Sequence, residues 1–195
     1  MIYMGLLHIK TPESLNKVLN KFDYGIVDKD GKTISPDSEN FNKRYRTLTS
    51  TQFAKYKAGV CWDFANFESV WFKLHKYKFK TYYIIMNDHK MYPTHTFLVY
   101  EDDGKYKYFE SSWMRHQGIH EFGTMNELFK QVYKWFRELN GTQKIHLFEY
   151  TALDTLSGLT CCEFMDKVEQ KEIHYVYKES VTDRINMRMK SKYMT

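Results

Sequence analysis

Proline is scarce in this chain, 3 in 195 residues, and glycine comes to only 9. So few breakers leave no room for a flexible linker, and one domain with a full hydrophobic core is expected. Cysteine is as scarce. The 3 thiols are Cys61, Cys161 and Cys162. An odd number with two adjacent does not suggest a disulfide framework and fits a reducing compartment. No stretch approaches the ~20 apolar residues of a membrane span. The opening MIYMGLLHIK has an apolar run too short for a signal peptide, with no basic region ahead of it. These absences predict a cytoplasmic protein without a membrane partner. The formal charge of +5, from 29 basic and 24 acidic residues, is mild, and the two signs are mixed along the chain as on a solvated surface. Zinc-finger spacing and a basic helix are both missing, so nucleic acid is not indicated as a partner.

What the chain has is aromatic surface: 16 Tyr and 14 Phe, enough to argue for a packed body rather than disorder. Thr11 and Pro12 read as the cap and first residue of a helix carrying Leu15, Val18, Leu19 and Phe22. IVDKDGKTI carries an Asp-Gly hairpin signal. Residues 35–50 read as loop and Thr51–Tyr56 as a short helical turn. From Cys61 the residues Trp62, Phe64, Ala65, Phe67, Val70, Trp71 and Leu74 predict a largely buried helix with no breaker until beyond Tyr77. TYYIIMN is a strand. THTFLVYEDDGKYKYFE alternates on both sides of Asp103-Gly104 and predicts an antiparallel hairpin. TMNELFKQVYKWFRELNG is a capped amphipathic helix with a stripe of Leu128, Val132, Trp135, Phe136 and Leu139, ended by Gly141. KIHLFEY is a strand, LTCCEFMDKVE a short helix with a Thr160–Glu163 box, and EIHYVYK a further strand. The expected class is α+β: the Cys61 helix packed on a mainly antiparallel sheet. The expected domain is 1–181, with a helix and hairpin in 1–50 and a core over about 51–150. Residues 182–195 read as a basic, Met-rich, frayed tail.

Three positions carry chemistry. Cys61 starts the central helix, His95 opens the first strand of the hairpin, and Glu110 ends the second, so His95 and Glu110 can be cross-strand neighbours. A thiol ordinarily has a pKa of ~8.5, and a helix N-terminus with a neighbouring imidazolium can lower it to roughly 3.5–7.5. The imidazole needs an orienting carboxylate on its other nitrogen. The Cys61 backbone N–H is then one oxyanion donor. Gln52 is the candidate for the second, on residue type alone. Each residue also has a plain structural reading: a packed thiol, a strand histidine, a solvated glutamate. Trp113 reads equally as a shield over the His95–Glu110 contact or as a core aromatic.

The residues GVCWDFA and PTHTFLVYEDDGKYKYFESSW resemble the transglutaminase-like superfamily of cysteine enzymes, related to the papain-like ones. The matching positions are Gly59, Cys61, Trp62, His95 and the acid position at Glu110. They span about two fifths of the chain, from Tyr45 to Phe122. The likeness is greatest to small bacterial and phage-borne members described as cysteine proteases. The family's Asp is Glu here, one methylene longer, and Val60 stands where animal transglutaminases carry Gln. The resemblance implies a transglutaminase-like core and a cysteine peptidase, amidase or deamidase with a Cys61–His95–Glu110 triad and no cofactor. A peptide or protein is the implied substrate, with Trp62 and Trp113 near it. Acyl transfer to an amine and a non-catalytic peptide-binding module remain open alternatives.

Other groups have plainer readings. His116 and His120 lie four apart, but Gly118 between them makes the stretch read as loop, and no metal site is expected. Asp63, favourable to the helix dipole, is expected to point away from a thiolate. Of Cys161 and Cys162, one is expected in the core and one half-exposed.

Overall fold

In a computed structural model, residues 5, 6, 8–86, 93–141, 144–152, 156–175 and 177 of the chain are described. The expected basic tail, 182–195, lies outside them.

The β-branched and aromatic runs build one antiparallel sheet of five strands. They are β5 (Phe79–Met86), β6 (Thr94–Asp102), β7 (Lys105–Glu110), β8 (Gly118–Phe122) and β9 (Ile145–Tyr150), in the order β8-β7-β6-β5-β9. The central strand is therefore β6, the one that carries His95. Its hairpin with β7 turns at Asp103 and Gly104, both at positive φ. Alternation along β6 and β7 divides the residues between the two faces. Leu98, Tyr100 and Phe109 pack with α4 (Cys61–Leu74), while Phe97, Val99 and Tyr108 pack with α5 (Met125–Asn140).

The helix α4 is buried on nearly all sides, from Cys61 to Phe72, and ends at Leu74, the last of the apolar residues expected in it. Helix α5 keeps its predicted capping box, Thr124 with Glu127. Its stripe departs from the expectation at the C-terminal end, where Leu139 is 54% exposed. There Leu139 lines a cavity instead of the core.

The first part of the chain forms α1 (Pro12–Leu19), capped by Thr11, and a hairpin of β2 (Ile26–Val27) with β3 (Thr33–Ile34). Residues 35–50 are not all loop. Ser38–Lys43 is a helix, α2, with Asp37 as its cap. Its sequence shows no apolar stripe because one residue docks it: Phe41 stacks on Tyr45 at 4.9 Å and meets Trp62 edge-on at 5.0 Å. Helix α3 (Ser50–Tyr56) follows. The two-residue strand β1 (Asp23–Tyr24) then pairs in parallel with β4 (Ala58–Gly59), directly before Cys61. Cys161–Val168 is α6, with its Thr160–Glu163 box. Of the strand expected over 172–178, the described residues show one bridge, Glu172 to Phe148, extending the β9 edge.

Candidate active site

Gly59, in GVCW, sits where chain segments come closest. A Cβ there would lie 2.8 Å from the Asp63 Cβ and 2.9 Å from the Phe53 ring. After it, Val60 caps α4 without any side-chain acceptor. Valine is among the poorest caps, so the first-turn N–H groups of Cys61 and Trp62 have no capping side chain. The Asp63 carboxylate turns the other way. It accepts from the Val60 N–H at 3.0 Å, the Leu48 N–H at 2.8 Å and the Tyr45 hydroxyl at 3.0 Å. Burial raises its pKa to about 6 against these bonds. Asp63 thus ties the approach of the chain to the helix start.

His95 and Glu110 are brought together, on a diagonal rather than face to face. The register pairs Leu98 with Phe109, so its continuation sets Glu110 opposite Phe97, two residues along from His95 on the same face. The extra methylene of glutamate suits this longer reach. His95 Nε2 lies 2.6 Å from Glu110 Oε2, and both residues are buried. The other nitrogen, Nδ1, is free of Glu110, and Cys61 lies near enough to act on the ring.

Glu110 is the most heavily bonded group of the site. Oε2 also accepts from the Tyr108 hydroxyl. Oε1 accepts from the N–H of Ser112 at 2.8 Å, its hydroxyl at 2.9 Å and the Trp113 N–H at 2.7 Å. The backbone carbonyl of Glu110 accepts from Asn16 Nδ2 at 2.7 Å, which docks α1 on the end of β7. Burial alone would raise the Glu110 pKa, but the His95 charge and these donors hold it below the usual carboxylate range. Burial alone would lower that of His95, and the Glu110 charge, with bonds to Cys61 and Glu110, holds it well above the usual imidazole range. The pair is therefore an imidazolium and a carboxylate at neutral pH.

Behind the pair lies a second acid. Glu68, on α4, is 2% exposed and accepts from the Ser111 hydroxyl at 2.5 Å. Burial, with the Glu110 charge, raises its pKa to about 8. It is a neutral carboxylic acid at pH 7.

Trp113 packs edge-on to His95 at 4.9 Å and covers the ion pair, as a shield would. It also lines a cavity of about 390 Å³ beside His95, with Tyr24, Met114, Phe136 and Leu139. Trp62 is not among the residues lining this cavity; it is fully buried and stacks on Phe164 at 4.0 Å. Gln52 is not brought to Cys61 as an oxyanion donor. It is exposed at N3 of α3, and its Oε1 accepts from the Thr49 N–H at 2.9 Å in a capping box. An amide three residues after a threonine is the ordinary signature of that box. His116 and His120 flank Trp135, and His120 lies on β8 rather than in a loop. Among the described residues no cluster has the makings of a metal site. Cys161 is buried, its thiol raised to about 12 by burial, and Cys162 is exposed.

Two parts of this arrangement escape the sequence. Tyr108 carries a signal, since it precedes Glu110 by two on the same face of β7. Tyr24 has none, because only the pairing of β1 with β4 brings it to Cys61. Tyr24 is 46% exposed, yet burial of its hydroxyl end, with Cys61 nearby, raises the phenol well above its ordinary range.

No protein-family model matches the chain, and no curated protein does. Among the described residues no helix is long and apolar enough to cross a membrane.

Proposed function

We propose that the chain is a cysteine hydrolase that cleaves amide bonds of peptide or protein substrates through a thioester, on a transglutaminase-like arrangement of helix and sheet. The observation that carries this reading is the buried His95–Glu110 pair at 2.6 Å, with Cys61 at the start of α4 near enough to act on the same imidazole. Cys61 Sγ attacks the substrate carbonyl carbon, its proton having passed to His95. The tetrahedral adduct places its oxygen at the Cys61 N–H, which the Val60 side chain cannot cap. As it collapses, the C–N bond breaks and His95 protonates the departing amine. A water molecule, deprotonated by His95, attacks the thioester. The acid leaves and the thiol returns. Glu110 keeps the imidazole in one orientation throughout. The cavity beside His95, walled by Trp113, Phe136 and Leu139, suits an apolar side chain next to the cleaved bond. An amine in place of water would make the same thioester an acyl-transfer intermediate.

The test is alkylation of Cys61 by iodoacetamide, mapped by mass spectrometry at pH 6.5 and 9, in wild type and His95→Ala. The variant should slow the reaction at pH 6.5 by about tenfold or more, with a smaller gap at pH 9. Equal rates at both pH values overturn the reading. They would favour a non-catalytic peptide-binding module, to which the burial of Cys61, 4% exposed, also lends itself.

A further inference from the structure

Four large apolar side chains stand exposed among the described residues: Tyr24 at 46%, Leu74 at 55%, Met114 at 79% and Leu139 at 54%. Single exposed apolar residues are ordinary on a protein surface, and a group of them is not. All but Leu74 line the cavity beside His95. They come from β1, from the turn after β7 and from the end of α5, so the fold gathers them and no local run of sequence does. The wall between them is apolar as well, with Trp113 and Phe136. Its volume of about 390 Å³ falls within the ~300–1,000 Å³ that ligand pockets span.

Besides His95, whose charge Glu110 answers, one cation lines the cavity, Arg115. No aspartate or glutamate lines it. Arg115 is exposed, and its guanidinium has no ion-pair partner among the described residues. Its place is fixed by the candidate site itself. Met114–His116 is one turn of 3-10 helix. The Ser112 and Trp113 N–H groups just before it are held on the Glu110 carboxylate. The His116 N–H donates to the Trp113 carbonyl at 2.8 Å, and Gln117 Nε2 to the Ser111 carbonyl at 2.7 Å. His116 also stacks on Trp135 of α5 at 4.3 Å. The acid bonded to His95 thus also anchors the turn that carries Met114 and Arg115. An unpaired guanidinium beside apolar walls suits a carboxylate, which its fork of donors matches.

We propose that this cavity selects a peptide with a large apolar side chain, held by Tyr24, Met114 and Leu139, and a carboxylate next to it, held by Arg115. The proposal rests on the hydrolase reading and names the substrate class: an apolar residue flanked by an acidic one or by a free C-terminus. Both sources offer the same planar anion. A basic neighbour would meet Arg115 with like charge. An exposed ion pair is worth only a few-fold in affinity. Arg115 therefore chooses among peptides, while the apolar ring supplies most of the binding.

The experiment is fluorescence polarisation with fluorescein-labelled Gly/Ser peptides on Cys61→Ala, which turns none of them over. Amidated peptides carry Glu-Phe-Glu, Gln-Phe-Gln, Lys-Phe-Lys or Glu-Ser-Glu at the centre, and a further pair ends in Phe as the free acid or as the amide. Glu-Phe-Glu should bind about threefold or more tighter than Gln-Phe-Gln. Lys-Phe-Lys and Glu-Ser-Glu should bind more weakly than either. A preference shown only by the terminal pair assigns the carboxylate to a chain end. Arg115→Gln should erase the preference for acid and leave Gln-Phe-Gln binding unchanged. Met114→Ser combined with Leu139→Ser should weaken every Phe peptide by about fivefold or more. All three side chains are exposed, so these variants keep the fold. Binding indifferent to acids, a preference that survives in Arg115→Gln, or no binding by any peptide overturns the proposal. If one of these occurs while His95→Ala still slows Cys61 alkylation at pH 6.5, the specificity is wrong and the hydrolase reading stands. If the peptides bind as expected and His95→Ala has no effect, the recognition stands and the hydrolase reading falls.

Discussion

Two buried carboxyl groups near His95 respond to pH in opposite senses. Glu110 is held below the usual range, so its stabilisation is present above ~4.3, the unfolded value, and is lost as pH falls through the folded one. Glu68 is raised to about 8. Between ~4.3 and that value the folded protein holds a proton that the unfolded chain has released, so stability declines as pH rises across the window. Glu68→Gln keeps the shape and the bond to Ser111 and cannot titrate. Its stability relative to wild type should therefore increase from pH 5 to pH 8 and level off above, by roughly 1–3 kcal/mol between the ends. Urea midpoints at pH 5, 7 and 9 measure it, and parallel curves would show that Glu68 does not titrate in this range. Nothing in the residue pattern distinguishes Glu68 from a solvated helix acid. Its neutrality comes from burial between helix and sheet and from the Glu110 charge, against the bond from Ser111, which favours the carboxylate. The Cys61, His95 and Glu110 positions were legible because helix start, strand start and strand end are local features. Gln52 misled because an amide upstream of a cysteine looks the same whether it serves a cap or an oxyanion.

At the level of elements, the short connection from α3 through β4 into α4 governs where the thiol sits. Gly59→Ala would drive a methyl into the Asp63 Cβ and the Phe53 ring, both under 3.0 Å. Neither can yield without moving a helix. Overpacking of this kind costs roughly 1–3 kcal/mol, and thermal unfolding should show the loss, together with a changed Cys61 alkylation rate. A variant as stable as wild type would mean that the close approach relaxes. Long periodic segments were readable from sequence: α1, α5, α6 and the hairpin of β6 and β7 follow their caps and alternation. The shorter ones were not. Helix α2 depends on one ring, Phe41, and β8 on pairing with β7 from Gly118, whose φ of +134° suits glycine. Strand β1 is two residues long and has no period to detect.

On the scale of the molecule, the candidate site draws on α1, β1, α4, β6 and β7. Asn16→Ala tests the longest of these links. It would leave the buried Glu110 carbonyl without its donor, at a cost of about 1–3 kcal/mol. Hydrogen exchange at the Ser112 and Trp113 amides should speed up more than in β9, because both donate to Glu110. Uniform acceleration across the sheet would mean that the bond serves only global stability. The bond joins residues 94 positions apart. That separation matters during translation. When Cys61 leaves the ribosome, His95 and Glu110 have yet to follow it. Asn16 waits for a partner 94 positions further on. A nascent chain thus carries Cys61 without either group beside it, and the candidate site is assembled only in a chain that has finished its hairpin and closed it against its own beginning.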